Sequence, residues 1–111
     1  MDVYDTANRL AQEIRQSEEY INYKMAKEAL NLKPELKKKM KEFDQIRYEA
    51  QIIAMQTGKN DEEKMKKMQE LYMELIEDND AKKFIEAETK FNIVFADVNK
   101  ILGDAVKDVL Q

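Results

Sequence analysis

The chain has 111 residues, 38% of them charged and 43% hydrophobic, and a formal net charge of −4. It contains no Cys, no His and no Trp, which excludes a disulfide framework, a thiolate metal site, a Cys nucleophile and the commonest general base and metal ligand. Two Gly and one Pro leave few places for turns, so the length reads as one domain, residues 1–111, built from long surface-exposed helices.

The first helix is predicted over residues 3–16. Val3, Ala7, Leu10, Ala11 and Ile14 form its stripe, and Tyr4 borders it. Ser17 suits an N-cap, and Glu18 and Glu19 follow where carboxylates favour the helix dipole. A second helix then runs to about Leu30, unless Ser17 is only a kink. Its apolar residues are Tyr20, Ile21, Met25, Ala29 and Leu30. Pro34 makes a firmer boundary, because proline disfavours helix at the residue before it and suits the first turn of the next. The third helix covers residues 34–57, with Leu36, Met40, Phe43, Ile46, Ala50, Ile53 and Ala54 inward. Tyr48, Ile52 and Met55 give it a second apolar edge. Gly58 is its natural C-terminal cap.

A fourth helix follows over residues 61–77, capped by Asn60 or Asp61, with Met65, Met68, Leu71, Tyr72, Leu75 and Ile76 inward. The short turn between helices three and four predicts an antiparallel hairpin. The run Asp78-Asn79-Asp80 precedes a last helix over residues 81–110, with Asp80 as its expected cap. Phe84, Ala87, Phe91, Val94, Val98, Ile101, Ala105 and Val109 recur on it at helical spacing, flanked by Phe95, Leu102 and Val106. Such a helix is ~45 Å long if straight. A compact domain of this size has a radius of gyration of only ~13 Å. The helix must therefore kink, protrude or lie against a partner. Gly103 inside it costs ~1 kcal/mol relative to Ala. It marks a kink, a close helix crossing, or the start of a short terminal helix at Asp104. The fold class is thus all-α: helical hairpins packed with a long C-terminal helix, with helices three to five as the expected core, completed as a dimeric bundle.

The dimer or partner interface is expected at Phe91, Phe95, Val98, Leu102 and Val106. An exposed apolar length of this size exceeds what monomers usually tolerate, and a two-fold interface is the symmetric solution. Asn92 and Asn99 lie near this seam as polar positions that set register. Glu88 edges the same stripe between Phe84 and Phe91. It reads as a polar contact to a partner or ligand, as a register residue, or as a border acid paired with a base such as Arg47.

Catalytic chemistry finds little support. Glu62 with Glu63, Glu70 with Glu74, and Glu74 with Glu77 share faces with Lys and read as solvated charge. There is no Gly-rich phosphate loop and no Ser nucleophile motif. Carboxylate metal sites in bundles use Glu-x-x-His pairs, and His is absent. No enzyme activity, cofactor or metal is expected. The basic runs Lys37, Lys38, Lys39 and Lys41, and Lys64, Lys66 and Lys67, could track a phosphate backbone. Acids surround them: Glu35, Glu42, Asp44, Glu62, Glu63 and Glu70. The negative net charge also disfavours long-range attraction to nucleic acid or anionic membranes. No run approaches the ~18 apolar residues of a membrane span. The start, Met1-Asp2-Val3-Tyr4-Asp5, lacks a basic n-region and an apolar h-region. A cytoplasmic protein is expected.

Residues 86–102, EAETKFNIVFADVNKIL, resemble the signature region of the YlbF/YmcA family of small helical bacterial proteins. The start is similar too: Tyr4-Asp5, Ala7, Leu10 and Ala11, then Ser17-Glu18-Glu19-Tyr20 and a short linker into a long helix. The similarity is greatest to the YheA-like subgroup and spans nearly the whole chain. The resemblance implies an all-helical, usually dimeric protein. It implies a regulatory role through protein partners in competence, sporulation, biofilm formation or RNA processing. Relatives in that role act with YaaT and carry iron–sulfur clusters on cysteines. This chain has no Cys, so the cluster does not carry over. Two readings follow: a non-catalytic regulatory or protein-interaction homodimer, and a nucleic-acid-associated helical protein using the Lys clusters.

Overall fold

The computed structural model describes residues 2–110. Five helices and no strand occur among them: α1 (Val3–Gln16), α2 (Glu18–Asn31), α3 (Pro34–Thr57), α4 (Glu62–Ile76) and α5 (Asn79–Leu110). The helices begin and end where local chemistry dictates. Asp2 caps α1 by accepting a hydrogen bond from the Asp5 amide. Ser17 is a true break. Its backbone is extended, and its hydroxyl oxygen accepts from the Tyr20 amide to open α2. Pro34 opens α3, and Gly58 closes it at φ 74°, in the left-handed region where a Cβ is penalised. Asp61 caps α4 through the Lys64 amide.

The start of α5 differs from expectation. Asp78, not Asp80, is the cap: its Oδ1 accepts from the amides of Asp80 and Ala81 at 2.9 and 3.2 Å. Asp80 instead pairs with Lys33 at 2.8 Å, and Asp78 meets the same ammonium at 3.1 Å. Lys33 thereby clasps the α2–α3 linker to the α4–α5 junction. Hydrogen bonds to Asp80 and Asp78 hold the Lys33 ammonium above its ordinary pKa, and the Lys33 hydrogen bond chiefly holds Asp78 below its own. The Asp78 share of clasp stability is present above the unfolded carboxylate's pKa and is lost as pH falls through the lower folded value. The Lys33 share is present below the unfolded amine's pKa and is lost as pH rises through the higher folded value. Both side chains are solvated, so the clasp fixes position more than it stabilises.

The core lies where four helix ends meet. Leu30 from the end of α2, Met40 from the start of α3, Leu75 from the end of α4, and Ala81 and Phe84 from the start of α5 form one buried cluster. Tyr23, Ala26, Leu36, Phe43 and Ile85 pack around it. Two arms leave this joint. One is the antiparallel α3–α4 hairpin, which buries Ile46, Ala50 and Leu71 along its length. The other pairs α2 with α5. The expectation that helices three to five form the core is therefore corrected: α5 packs chiefly on α2, and only its first turns touch α4. Periodicity gave the buried face of α5 but not its occupant.

The result is a flat, extended shape. The radius of gyration is 17.7 Å and the extents are 51 × 38 × 16 Å, against ~13 Å for the radius of a compact chain of this length. The last helix protrudes. It runs without interruption through Gly103, so no separate terminal helix starts at Asp104. A Cβ at Gly103 would meet nothing within 4 Å. Gly103→Ala is therefore expected to stabilise the fold by ~0.8–1 kcal/mol, from helix propensity alone. A urea melt showing a raised midpoint with an unchanged slope checks this.

Candidate interaction surface

α5 divides into two halves. The first is covered by α2. Tyr23 lies between Phe84 and Phe91 with its ring tilted against both, centroids 5.6 and 5.4 Å away, and Tyr20 meets Phe91 edge-on at 6.0 Å. Phe91 then stacks on Phe95 at 5.8 Å. Aromatic pairs of this kind contribute ~0.5–1.5 kcal/mol each beyond the area they bury. This ladder carries the apolar surface from the core outward along α5.

Glu88 sits within the ladder. The Tyr23 hydroxyl donates to its Oε2 at 3.2 Å. Burial first, then the Glu88 charge, pushes the Tyr23 phenol above its ordinary pKa. Arg47 is not the partner of Glu88; it pairs with Asp44 on its own helix at 3.1 Å. Helical spacing placed Glu88 at the edge of the stripe, but nothing local pointed to a tyrosine 65 residues away. Tyr23→Phe is expected to cost ~1–2 kcal/mol, because it leaves a half-buried carboxylate without its donor. A urea titration showing no loss would contradict that role for the bond.

The second half of α5 is uncovered. Among the described residues, none is buried beyond Phe84, and every residue from Asn99 onward is exposed. Phe95 is 46% exposed, Leu102 54%, Val106 44% and Val109 79%. Phe91 and Val98 are half-buried, whereas Asn92 and Asn99 are exposed. The structure thus places Phe91, Phe95, Val98, Leu102 and Val106 on one side of a projecting helix. The charges lie on its other side, where Lys100 pairs with Asp104 at 3.3 Å.

α1 continues this surface. It buries no residue, and Val3 is 80% exposed. Beyond the break at Ser17, α1 does not pack tightly on α5. Val3, Thr6, Ala7 and Leu10 of α1 face Leu102 across an open, largely apolar cleft of about 420 Å³. Sequence spacing gave the α1 stripe but did not show that it lies beside the α5 tail.

The lysine clusters tell another story. Lys39, Lys64 and Lys67 reach Glu74, Glu49 and Glu42 across the α3–α4 hairpin at 3.5, 3.1 and 3.8 Å. They fasten one helix to the other. No group of three or more His, Cys, Asp or Glu among the described residues could hold a metal ion. None of the helices is long and apolar enough to cross a membrane.

These features define a small all-helical protein with a projecting, unpaired apolar face. A family model described as "Control of competence regulator ComK, YlbF/YmcA" matches residues 3–107, and the chain belongs to this family. It is 33% identical over 108 residues to a UPF0342 protein of Clostridium novyi, covering 97% of this chain and 95% of that one. A UPF0342 protein of Desulfitobacterium hafniense is 32% identical over 110 residues, covering 99% and 89%. Among solved structures, a protein of unknown function (DUF964) from Bacillus stearothermophilus superposes with a TM-score of 0.76 at 16% identity, covering 98% of this chain and 96% of that one. A chain from the crystal structure of Bacillus subtilis RicA in complex with RicF superposes with a TM-score of 0.58 at 24% identity and the same coverage. Both likenesses show the fold.

Proposed function

We propose that this chain is a non-catalytic regulatory protein, a single domain over residues 1–111, that works by binding other proteins. Its first partner is a second copy of itself. The observation that carries the reading is the uncovered apolar face of α1 and the distal half of α5, with Phe95, Val98, Leu102 and Val106 as contact residues and Phe91, which Tyr20 and Tyr23 already cover, at its inner edge. A surface of this kind marks an interaction site. The family's description as a control of a competence regulator supports a regulatory role. The RicA–RicF complex supports assembly with other regulatory proteins. The finer reading is control of competence, sporulation, biofilm formation or RNA processing from within the cytoplasm. The cross-hairpin ion pairs of Lys39, Lys64 and Lys67 weigh against the nucleic-acid reading.

Light scattering at micromolar concentration tests the homodimer. The expected mass is twice the 13.1 kDa of the chain; a mass near 13.1 kDa overturns it. Affinity capture from the native cell, with wild type compared against Leu102→Asp, then tests the regulatory role. Regulatory proteins retained by the first and lost by the second are the expected result.

A further inference from the structure

The order of apolar residues on α5 goes beyond marking a face: it specifies how a second copy lies on it. Taking Leu102 as origin, apolar residues stand at seven and four residues before it and at four and seven after it: Phe95, Val98, Val106 and Val109. At ~100° per residue all four fall within ~40° of the Leu102 direction. The spacing is the same read in either direction. A second α5 running antiparallel about a two-fold axis at Leu102 therefore sets Leu102 on Leu102, Val98 on Val106 and Phe95 on Val109.

The covered half of α5 selects this orientation over the parallel one. Phe84 and Phe91 point in the same direction as Leu102, and there α2 already occupies the face through Tyr20 and Tyr23. A parallel, in-register partner would drive its own α2 and α5 into that space. An antiparallel partner centred on Leu102 overlaps only residues 94–110, a length of ~25 Å. The two α2-covered halves then project from opposite ends. The antiparallel arrangement also sets the two helix dipoles head to tail. The α1 residues Val3, Thr6, Ala7 and Leu10 line an open cleft beside Leu102 and add apolar surface next to the α5 face. Val3, Tyr4, Phe95, Ile101, Leu102, Val106, Val109 and Leu110 are all exposed apolar side chains on or beside this face. At ~60–120 Å² each they supply ~500–1,000 Å², against the ~800 Å² per partner of a standard interface.

We infer that two copies join through the distal halves of their α5 helices, antiparallel about a two-fold axis at Leu102, with α1 of each copy flanking the pair. This rests on the homodimer reading above and adds its orientation and register.

The absence of Cys from the chain makes the test direct. Single variants Leu102→Cys, Phe95→Cys and Val109→Cys are treated with a short bis-maleimide. Leu102→Cys is expected to convert most chains to covalent dimer. Phe95→Cys alone and Val109→Cys alone are expected to remain uncrosslinked, since their copies sit ~21 Å apart along the axis. When Phe95→Cys and Val109→Cys are co-expressed with different tags, the doubly tagged dimer is expected to crosslink. Crosslinking of Phe95→Cys alone means a parallel pair and overturns the inference. A dimer by light scattering with none of these crosslinks places the interface elsewhere and also overturns it. A scattering mass of 13.1 kDa sinks the homodimer reading itself. Circular dichroism verifies that each variant is folded. If Phe95→Cys is not, Val98→Cys co-expressed with Val106→Cys replaces the pair, with the same outcomes.

Discussion

Leu75→Ala is expected to lower the unfolding free energy by ~2–5 kcal/mol. Among the described residues Leu75 is the largest side chain with no solvent exposure, and it stands at the joint where α2, α3, α4 and α5 converge. Truncation removes three carbons' worth of burial and leaves a cavity. The neighbours come from four helices held by their own linkers, so they collapse into it poorly. Domains of this size have only ~5–15 kcal/mol in total, so the loss is a large fraction. Thermal denaturation should show a midpoint lowered by roughly 10 °C or more. Met68→Ala, on the half-buried flank of the hairpin, should cost much less. Equal losses at the two positions would mean that the joint is not the centre of stability.

Leu102→Asp is expected to halve the particle mass without unfolding the chain. In the protomer Leu102 is more than half exposed, so the carboxylate remains in water and the helix persists. In the proposed two-fold pair, two aspartates would face each other across the axis with no basic partner. Burying an unpaired polar group costs at least ~3 kcal/mol, equivalent to more than ~100-fold in Kd. Ile93→Asp is the control. Ile93 is similarly exposed but lies ~180° round the helix from Leu102, and its substitution should leave the mass unchanged. A dimer that survives Leu102→Asp, or dissociates equally with Ile93→Asp, rules out the distal face of α5.

Helix limits were legible in the sequence because each has a local cause. Ser17, Pro34, Gly58 and Asp61 act through their own backbone or the next turn, so no tertiary knowledge is needed to place them. The cap of α5 was harder, since three consecutive residues, Asp78, Asn79 and Asp80, can all cap a helix. Asp78 Oδ1 is the acceptor of the first amides, while Lys33, 45 residues earlier, engages both Asp78 and Asp80, a long-range contact that no local pattern announces. Likewise periodicity identified the apolar face of α5 but not that α2 covers its first half. Stripes on α2, α3 and α4 are equally able to fill such a face. The Tyr23–Glu88 bond was invisible for the same reason. What the stripe did disclose was its excess: α5 carries more apolar length than one chain can cover, and that excess is where the candidate contact residues lie.

The two-armed shape makes the joint a fulcrum. One small cluster sets the angle between the α3–α4 arm and the α2–α5 arm, and the Lys33 clasp spans its outer edge. A helix of 24 residues makes the hairpin a lever ~36 Å long. A rotation of ~10° at the joint sweeps the tip at Gly58 through ~6 Å. A change of side-chain packing at Leu30, Met40 or Phe84 would thus be magnified at the far end of the molecule, where Met55 and Met65 are exposed.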